Sequence, residues 1–400
     1  MLTKNFVLIL LSNIILGAPM PMLIILGGLA GAAVSPVAYG ATVPPTIQML
    51  SGILVAAPIS LYMGRRGRRA GFLLGVLLMV IGGGFGALSL FIESFVLLCI
   101  AHFLLGAALV AINFFRFAAA EVVEERWKSN AISLTLASGI IAAIVGPVIF
   151  NYSSDLVISA QFSGAYIAIA LIGVVGSIPV LAMRKLPPVT AENAGIEVSK
   201  FSILRRPKVA FAISAAAVSQ GIMVLLMTPT ALAMVGYGFA HQQASSVIMW
   251  HVIAMFAPGF VTGMLIARFG ATRIILTGLL LLSLSGIAAL SGVTLVQFYL
   301  SLVLLGVGWN FGFIGSTTLL QASLAPEEGP LIQGTNDTLI ALFSSLAALM
   351  SGALYVSIGW ESIAVMAVAT TVSTILIWLG FQFFRRAFAS SDQPIAPERR

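Results

Sequence analysis

The chain has 400 residues, 60% of them hydrophobic and only 8% charged, with a formal net charge of +7 and a mean hydropathy of +1.09. A soluble domain carries about 25% charged residues, so these figures exclude a soluble enzyme and describe an integral membrane protein, in which positive charge sets orientation and gives no reason to expect a nucleic-acid partner. The apolar runs are long and unbroken rather than alternating, which selects spanning helices over a barrel, and the single cysteine, Cys99, leaves no disulfide or thiolate cluster within one chain.

Taken in order, the runs predict twelve spans at about 5–28, 43–63, 71–92, 95–118, 130–151, 161–183, 209–233, 243–266, 273–292, 295–320, 331–353 and 361–384. Lys4 followed by Phe6–Leu26 has the start of a signal peptide, but the run is too long for one and is expected to stay as the first span. Between the second and third spans lies Met63–Arg69, read Met-Gly-Arg-Arg-Gly-Arg-Arg. Arginine at mid-bilayer is unfavourable by about 2.5–3.5 kcal/mol, so this turn belongs in water or headgroups. Counting outward from it, Lys4, Arg126, Lys128, Arg184, Lys185, Lys200, Arg205, Arg206, Lys208, Arg268, Arg273, Arg385, Arg386, Arg399 and Arg400 fall on its side. Glu93, Asp155 and Glu361 fall on the other. By the positive-inside rule the arginine side, with both termini, is expected to be cytoplasmic in a bacterial inner membrane.

The longest polar stretch, Arg184–Lys208, carries Pro187 and Pro188 and divides the chain. The expected organisation is a six-helix bundle at 1–183, a cytoplasmic linker at 184–208, a second bundle at 209–388 and a disordered tail at 389–400. The halves echo each other: Gly67 with Arg68 and Arg69 in one, Ala267-Arg268-Phe-Gly270 in the other, each a short basic turn between the second and third spans of its half. Repetition of six-helix units marks a transporter with two bundles about a midplane site.

Polar residues inside the spans mark candidate sites, because ionisable groups there face a bundle interior or wet cavity. In span 4, His102, Gly106, Leu109, Asn113 and Arg116 recur at steps of three and four and share a face. Arg116 lies near the span's end, so it either snorkels to the interface or serves a gate or a substrate contact. Asp337 is the one carboxylate placed well inside a span. The second half adds Gln220, Met223, Met227 and Thr228 in span 7, Trp250, His251 and Met255 in span 8, Trp309, Asn310, Phe313 and Thr317 in span 10, and Asn336 in span 11. Amides, methionines and aromatics suit a neutral, partly planar solute better than a multivalent ion, although packing is the ordinary use of any one of them. Pro19 and Pro21 in span 1 and Pro229 in span 7 predict bends at equivalent places. No cofactor or metal site is expected.

The turn at Ser60–Arg69 resembles the loop between helices two and three of the major facilitator superfamily, written Gly-x-x-x-Asp-Arg-x-Gly-Arg-Arg/Lys. Arg65, Gly67, Arg68 and Arg69 match it, while Ser60 and Gly64 replace its leading Gly and its Asp. The resemblance implies twelve helices in two pseudo-symmetric bundles, and a pairing of Glu121 with Arg68 or Arg69 when the cytoplasmic side is closed. It also implies that spans 4 and 11 line that gate from opposite bundles, so Arg116 and Asp337 are expected to bridge them. The missing Asp means that this chain must do without the family's outward-state lock or supply it elsewhere. Span 5 resembles the drug/proton antiporter signature only at Gly146 and Pro147, and span 4 has His102 and Leu105 where that motif has Arg and Gln. Trp250–Pro258, Leu265–Gly270, Gly308–Gly315 and Gln333–Asp337 resemble a bacterial permease subgroup that includes riboflavin transporters.

The expected protein is therefore an all-α transporter, acting as a monomer, that moves a small organic solute by alternating access, a vitamin- or flavin-like metabolite being the specific reading. A proton-coupled multidrug antiporter is the alternative within transport, and a transport-inactive membrane sensor the alternative outside it. A proton remains an open partner, with His102, His251 and Asp337 the groups that would titrate.

Overall fold

The computed structural model describes residues 3–36, 43–154, 156–157, 159–184 and 200–391. Asp155, most of the linker and the tail beyond Ser391 lie outside the described residues. What is described is helical. Span 1 comprises Lys4–Gly17 and Pro19–Val34, span 2 Val43–Arg66, span 3 Arg68–Phe91, span 4 Phe95–Asn113 and Phe115–Glu121, span 5 Lys128–Ala137 and Gly139–Ser153, and span 6 Ser163–Ala182. After a short helix at Lys200–Leu204 come span 7 at Pro207–Gly236, span 8 at His241–Phe256 and Gly259–Phe269, span 9 at Ala271–Leu290, span 10 at Leu295–Ala322, span 11 at Gly329–Ser357 and span 12 at Trp360–Ser391. Ten of these are long and apolar enough to cross a membrane, and the bent pair in span 8 supplies an eleventh crossing. Span 11 has the length at 29 residues, and its first half carries the amides Gln333 and Asn336 and the acid Asp337.

Several span ends shift by a few residues, and two domain boundaries differ from the sequence reading. The C-terminal helix runs on to Ser391, three residues into the expected tail, and the expected linker is already helical at Lys200–Leu204. Four spans are also broken: span 1 at Ala18, where Pro19 and Pro21 predict a bend, and spans 4, 5 and 8 at Phe114, Ser138 and Ala257–Pro258, where none was foreseen. Pro19 accounts for the first, because it has no N–H to continue the ladder. Span 8 bends by 41° at Pro258, and there the carbonyl of Met255 accepts from Asn310 Nδ2 at 2.6 Å, a side chain of span 10 repairing the broken ladder. Span 7 runs as one helix through Pro229, so the bend expected opposite that of span 1 is not a break.

The interior is apolar and close-packed, with Phe6, Phe114, Phe115, Phe117, Tyr166, Phe298 and Trp360 among its fully buried side chains. The outer surface is apolar too: Ile24, Leu54, Val96, Ile144, Ile178, Val296 and Ile377 are each more than 60% exposed, as a lipid-facing belt requires.

Spans 2 and 11 pack together, as do spans 5 and 8, and these two crossings join the bundles. At the first, Gly334 lies so near span 2 that a Cβ would sit 2.8 Å from Ala57 Cα and Ser60 Cβ. At the second, a Cβ on Gly263 would sit 2.6 Å from Asn130 Cα. The same two devices, a glycine and a serine facing it, occur at both crossings, the serine from the first half and the glycine from the second. Ser60 of span 2 donates to the Pro330 carbonyl beside Gly334, while Ser133 of span 5 donates to the Gly259 carbonyl and accepts from Gly263 N–H at 3.0 Å. The echo between halves is closest in the turns, where Gly67 (φ 86°, ψ 156°) and Gly270 (φ 85°, ψ 147°) hold the same glycine-only conformation.

Candidate functional site

The break in span 4 builds the first part of the site. With the ladder interrupted at Phe114, every residue from Phe114 to Ala120 is buried, and the phenylalanines wrap two arginines. Arg68 Cζ lies 5.9 Å from the Phe114 ring centroid, and Arg116 Cζ lies between Phe117 and Phe313 at 4.6 and 4.9 Å. Cation–π contact of this kind gains strength when desolvated. Arg116 is therefore not snorkelling; it is 4% exposed.

Arg68 opens span 3, where the positive end of the helix dipole disfavours a cation. Glu121 offsets this with a two-pronged pair, Nε to Oε2 at 3.0 Å and Nη2 to Oε1 at 2.5 Å. The same Nη2 reaches across to Gln333 Oε1 of span 11 at 2.5 Å, and Gln333 in turn donates to Gln321 of span 10 at 2.8 Å. Deeper in, Arg116 Nη2 donates to Asp337 Oδ1, which also accepts from Asn336 Nδ2 at 2.8 Å. A buried pair held between separate elements specifies their arrangement, and removing either partner strands a charge. Among the described residues, Ser60, Arg68, Arg116, Ser129 and Ser133 of the first half thus make polar contacts with the second, all toward the arginine-bearing end.

Above this floor stands an apolar cluster of Met223, Val224, Met255, Trp309 and Phe313, flanked by Leu136 of span 5 and Ile340 of span 11. Trp309 and Phe313 stack at 5.1 Å, and Trp309 Nε1 donates to Gln220 Oε1 at 2.7 Å. Asn113, one turn from Arg116, is exposed.

The remaining sequence candidates are placed elsewhere. His102 is fully buried within its own bundle, Nδ1 at 2.9 Å from Gln48 Oε1 of span 2 and Nε2 at 2.7 Å from the Tyr166 hydroxyl of span 6. His251 is likewise buried, with Nδ1 donating to the Leu302 carbonyl at 2.8 Å. Asn310 is occupied by the span 8 bend, accepting from Thr262 Oγ1 at 2.6 Å, and Thr317 is 2% exposed. Gly146, beside Pro147, serves packing: a Cβ there would lie 2.5 Å from the Ala18 carbonyl at the break in span 1. Arg65 is exposed, Arg69 lines a small cleft with Asn5, Phe72 and Arg184, and exposed Arg268 lies over Phe269. Of the remaining site residues, Ser60, Gln333 and Gly334 stood out from sequence only as motif positions, and Ser129, Ser133, Gly259 and Gly263 were not singled out. Their signal was present as small residues four apart, Ser129 with Ser133 and Gly259 with Gly263, the spacing at which helices approach closely.

No family model matches the chain. It is 34% identical over 363 residues to the riboflavin transporter RfnT of Brucella anthropi, a match covering 90% of this chain and 91% of the relative. It is 29% identical over 368 residues to the uncharacterized MFS-type transporter YddS of Bacillus subtilis, covering 86% and 83%. In fold it is similar to FucP, a major facilitator transporter solved in the outward conformation (TM-score 0.75, 14% identity, 95% of this chain and 99% of that one). It is also similar to a bacterial homologue of the iron transporter ferroportin in its outward-facing state (TM-score 0.74, 14% identity, 95% and 100%). With two six-helix bundles joined at the crossings of spans 2 with 11 and 5 with 8, and full-length relatives of this kind, the chain belongs to the major facilitator superfamily of multi-pass membrane transporters.

Proposed function

We propose that this transporter carries a flat, uncharged organic ring of the flavin class across the bacterial inner membrane, by rocking its two bundles about the Trp309–Phe313 cluster. The observation that carries the reading is the relation to the Brucella anthropi riboflavin transporter, which extends over nine-tenths of both chains. The centre of the second bundle supports it: stacked aromatics, two methionines and one amide offer broad apolar faces with few polar groups, the usual make-up of a site for such a solute. The arginine-bearing end is cytoplasmic with both termini, on the one-sided distribution of Lys and Arg. The structure described here is then the outward form, closed at the cytoplasm by the Arg68–Gln333 and Arg116–Asp337 contacts. These take the place of the loop carboxylate that Gly64 replaces. Each chain holds both bundles and hence one complete path, so it acts as a monomer.

The test is counterflow of labelled riboflavin in proteoliposomes, with and without a pH gradient. Exchange above that of empty liposomes, unaltered by the gradient, is expected, because Asp337 is engaged by Arg116 rather than free to carry a proton. Absence of exchange with riboflavin and its ring analogues overturns the cargo reading, and gradient-driven accumulation overturns the uncoupled one.

A further inference from the structure

Two polar atoms at the floor of the aromatic cluster have no hydrogen-bond partner among the described residues: Arg116 Nε and Asn336 Oδ1. Their residues are 4% and 1% exposed, and a buried polar group left unpaired is unfavourable enough that each instance calls for a reason. The other unpartnered side-chain atoms, on Ser219, His251, Ser316 and Ser345, all belong to the second bundle. These two come from opposite bundles and converge, since Arg116 Nη2 and Asn336 Nδ2 donate to the same Asp337 oxygen. They are also complementary in kind. A guanidinium Nε–H only donates, and an amide oxygen only accepts.

We propose that this donor–acceptor pair reads the edge of the transported ring, and that the cargo class is a heteroaromatic lactam or imide with N–H and C=O side by side. Its carbonyl takes Arg116 Nε–H, its ring N–H reaches Asn336 Oδ1, and Phe313 and Trp309 lie against its face. This rests on the reading of the cargo as a flat uncharged ring; the pyrimidinedione end of a flavin carries such an edge. The chemistry explains selectivity. A solute with the edge supplies the two hydrogen bonds that the closed floor leaves unmade, whereas one without it leaves both buried atoms unpaired, the circumstance in which a polar site rejects an analogue most strongly. Because the two atoms sit on the partners of Asp337, filling them also draws Arg116 and Asn336 toward the solute, linking occupancy to the contact between bundles.

The experiment titrates the purified full-length protein with riboflavin, 3-methylriboflavin and lumazine, following quenching of tryptophan fluorescence. Methylation at N3 exchanges the N–H for N–CH3 and leaves the ring system unchanged. The wild type is expected to bind 3-methylriboflavin at least about tenfold more weakly than riboflavin, and Asn336→Leu to bring the two flavins within about twofold of each other. Equal binding of both flavins by the wild type, or full discrimination retained by Asn336→Leu, overturns the edge proposal while leaving flavin transport standing. Binding of lumazine without riboflavin supports the edge and overturns the flavin reading, and binding of none of the three overturns both. Should Asn336→Leu not fold, the wild-type comparison of the two flavins decides the matter alone.

Discussion

Arg68 holds Glu121 of its own bundle and Gln333 of the other with one guanidinium, Nη2 lying 2.5 Å from an oxygen of each. The Glu121 contact orients the arginine; the Gln333 contact makes it span the gap. The two are therefore expected to separate on mutation. Gln333→Leu leaves Arg68 paired with Glu121, so thermal stability should change little, while the closed form at the arginine-bearing end loses a charge-assisted hydrogen bond of about 1.5–3 kcal/mol. That corresponds to a shift of roughly tenfold or more in the open-to-closed ratio. Spin labels at Arg66, which is exposed, and Glu327, which is half-buried, on opposite bundles, measure it as a gain in the long-distance population. Glu121→Gln should produce the same shift and lower stability as well.

The Arg116–Asp337 pair makes a different prediction because neither partner has water to fall back on, their side chains being 4% and 9% exposed. Arg116→Met or Asp337→Leu alone strands a charge and should destabilise by about 3–5 kcal/mol. The double variant strands none and should recover most of that loss in a melting experiment. Its transport should not recover, since the contact between bundles is gone. If the double variant melts at the sum of the single losses, the pair is not acting as a unit.

At the mouth of span 7, Arg206 grips Glu328 with two hydrogen bonds, 2.8 and 2.6 Å. Burial raises the Glu328 carboxyl, but the bonds from Arg206 and from Ala325 N–H outweigh it and hold it below its usual value of 4.5. A carboxyl lowered by folding stabilises the protein above its unfolded pKa and loses that contribution as pH falls through the folded one. The melting-temperature gap between wild type and Glu328→Gln should thus be constant from pH 8 to about 5 and shrink below about 4.5. Arg206 is about half exposed, so the gap should correspond to no more than about 1 kcal/mol.

The spans were legible because apolar runs of about twenty residues admit few other structures, and Arg116 and Asp337 stood out because charge inside such runs needs a reason. The breaks at Phe114 and Ser138 were not legible. Neither carries a proline, and both depend on neighbours: Phe114 is held by Arg68, and Ser138 by Asn13 Nδ2 at 2.9 Å. His102 and His251 drew notice as titratable groups, yet a buried imidazole satisfied by Gln48 and Tyr166 has the same sequence signature as one lining a cavity. Gln333 stood out only as a motif position, because a neutral amide in a helix says nothing of its partner until Arg68 is seen beside it.

The two glycines at the crossings give the most direct test of how the bundles meet. At Gly334 an added Cβ would approach Ala57 Cα and Ser60 Cβ to 2.8 Å, and at Gly263 it would approach Asn130 Cα to 2.6 Å. Those neighbours include backbone atoms, which cannot rotate away, so Gly334→Ala and Gly263→Ala should each force spans 2 and 11, or 5 and 8, apart. The alternative form, in which these faces separate, is relieved of the clash, and the equilibrium should move toward it by about 1–3 kcal/mol, the usual penalty for overpacking. Gly380 is the control, since it too is helical but a Cβ there meets nothing within 4 Å; Gly380→Ala should raise stability by up to about 1 kcal/mol through helix propensity alone. The same Arg66–Glu327 spin labels read the outcome. Gly334→Ala and Gly263→Ala should lengthen that distance and Gly380→Ala leave it alone. If the crossing glycines behave like Gly380, the bundles do not meet backbone to backbone at these points.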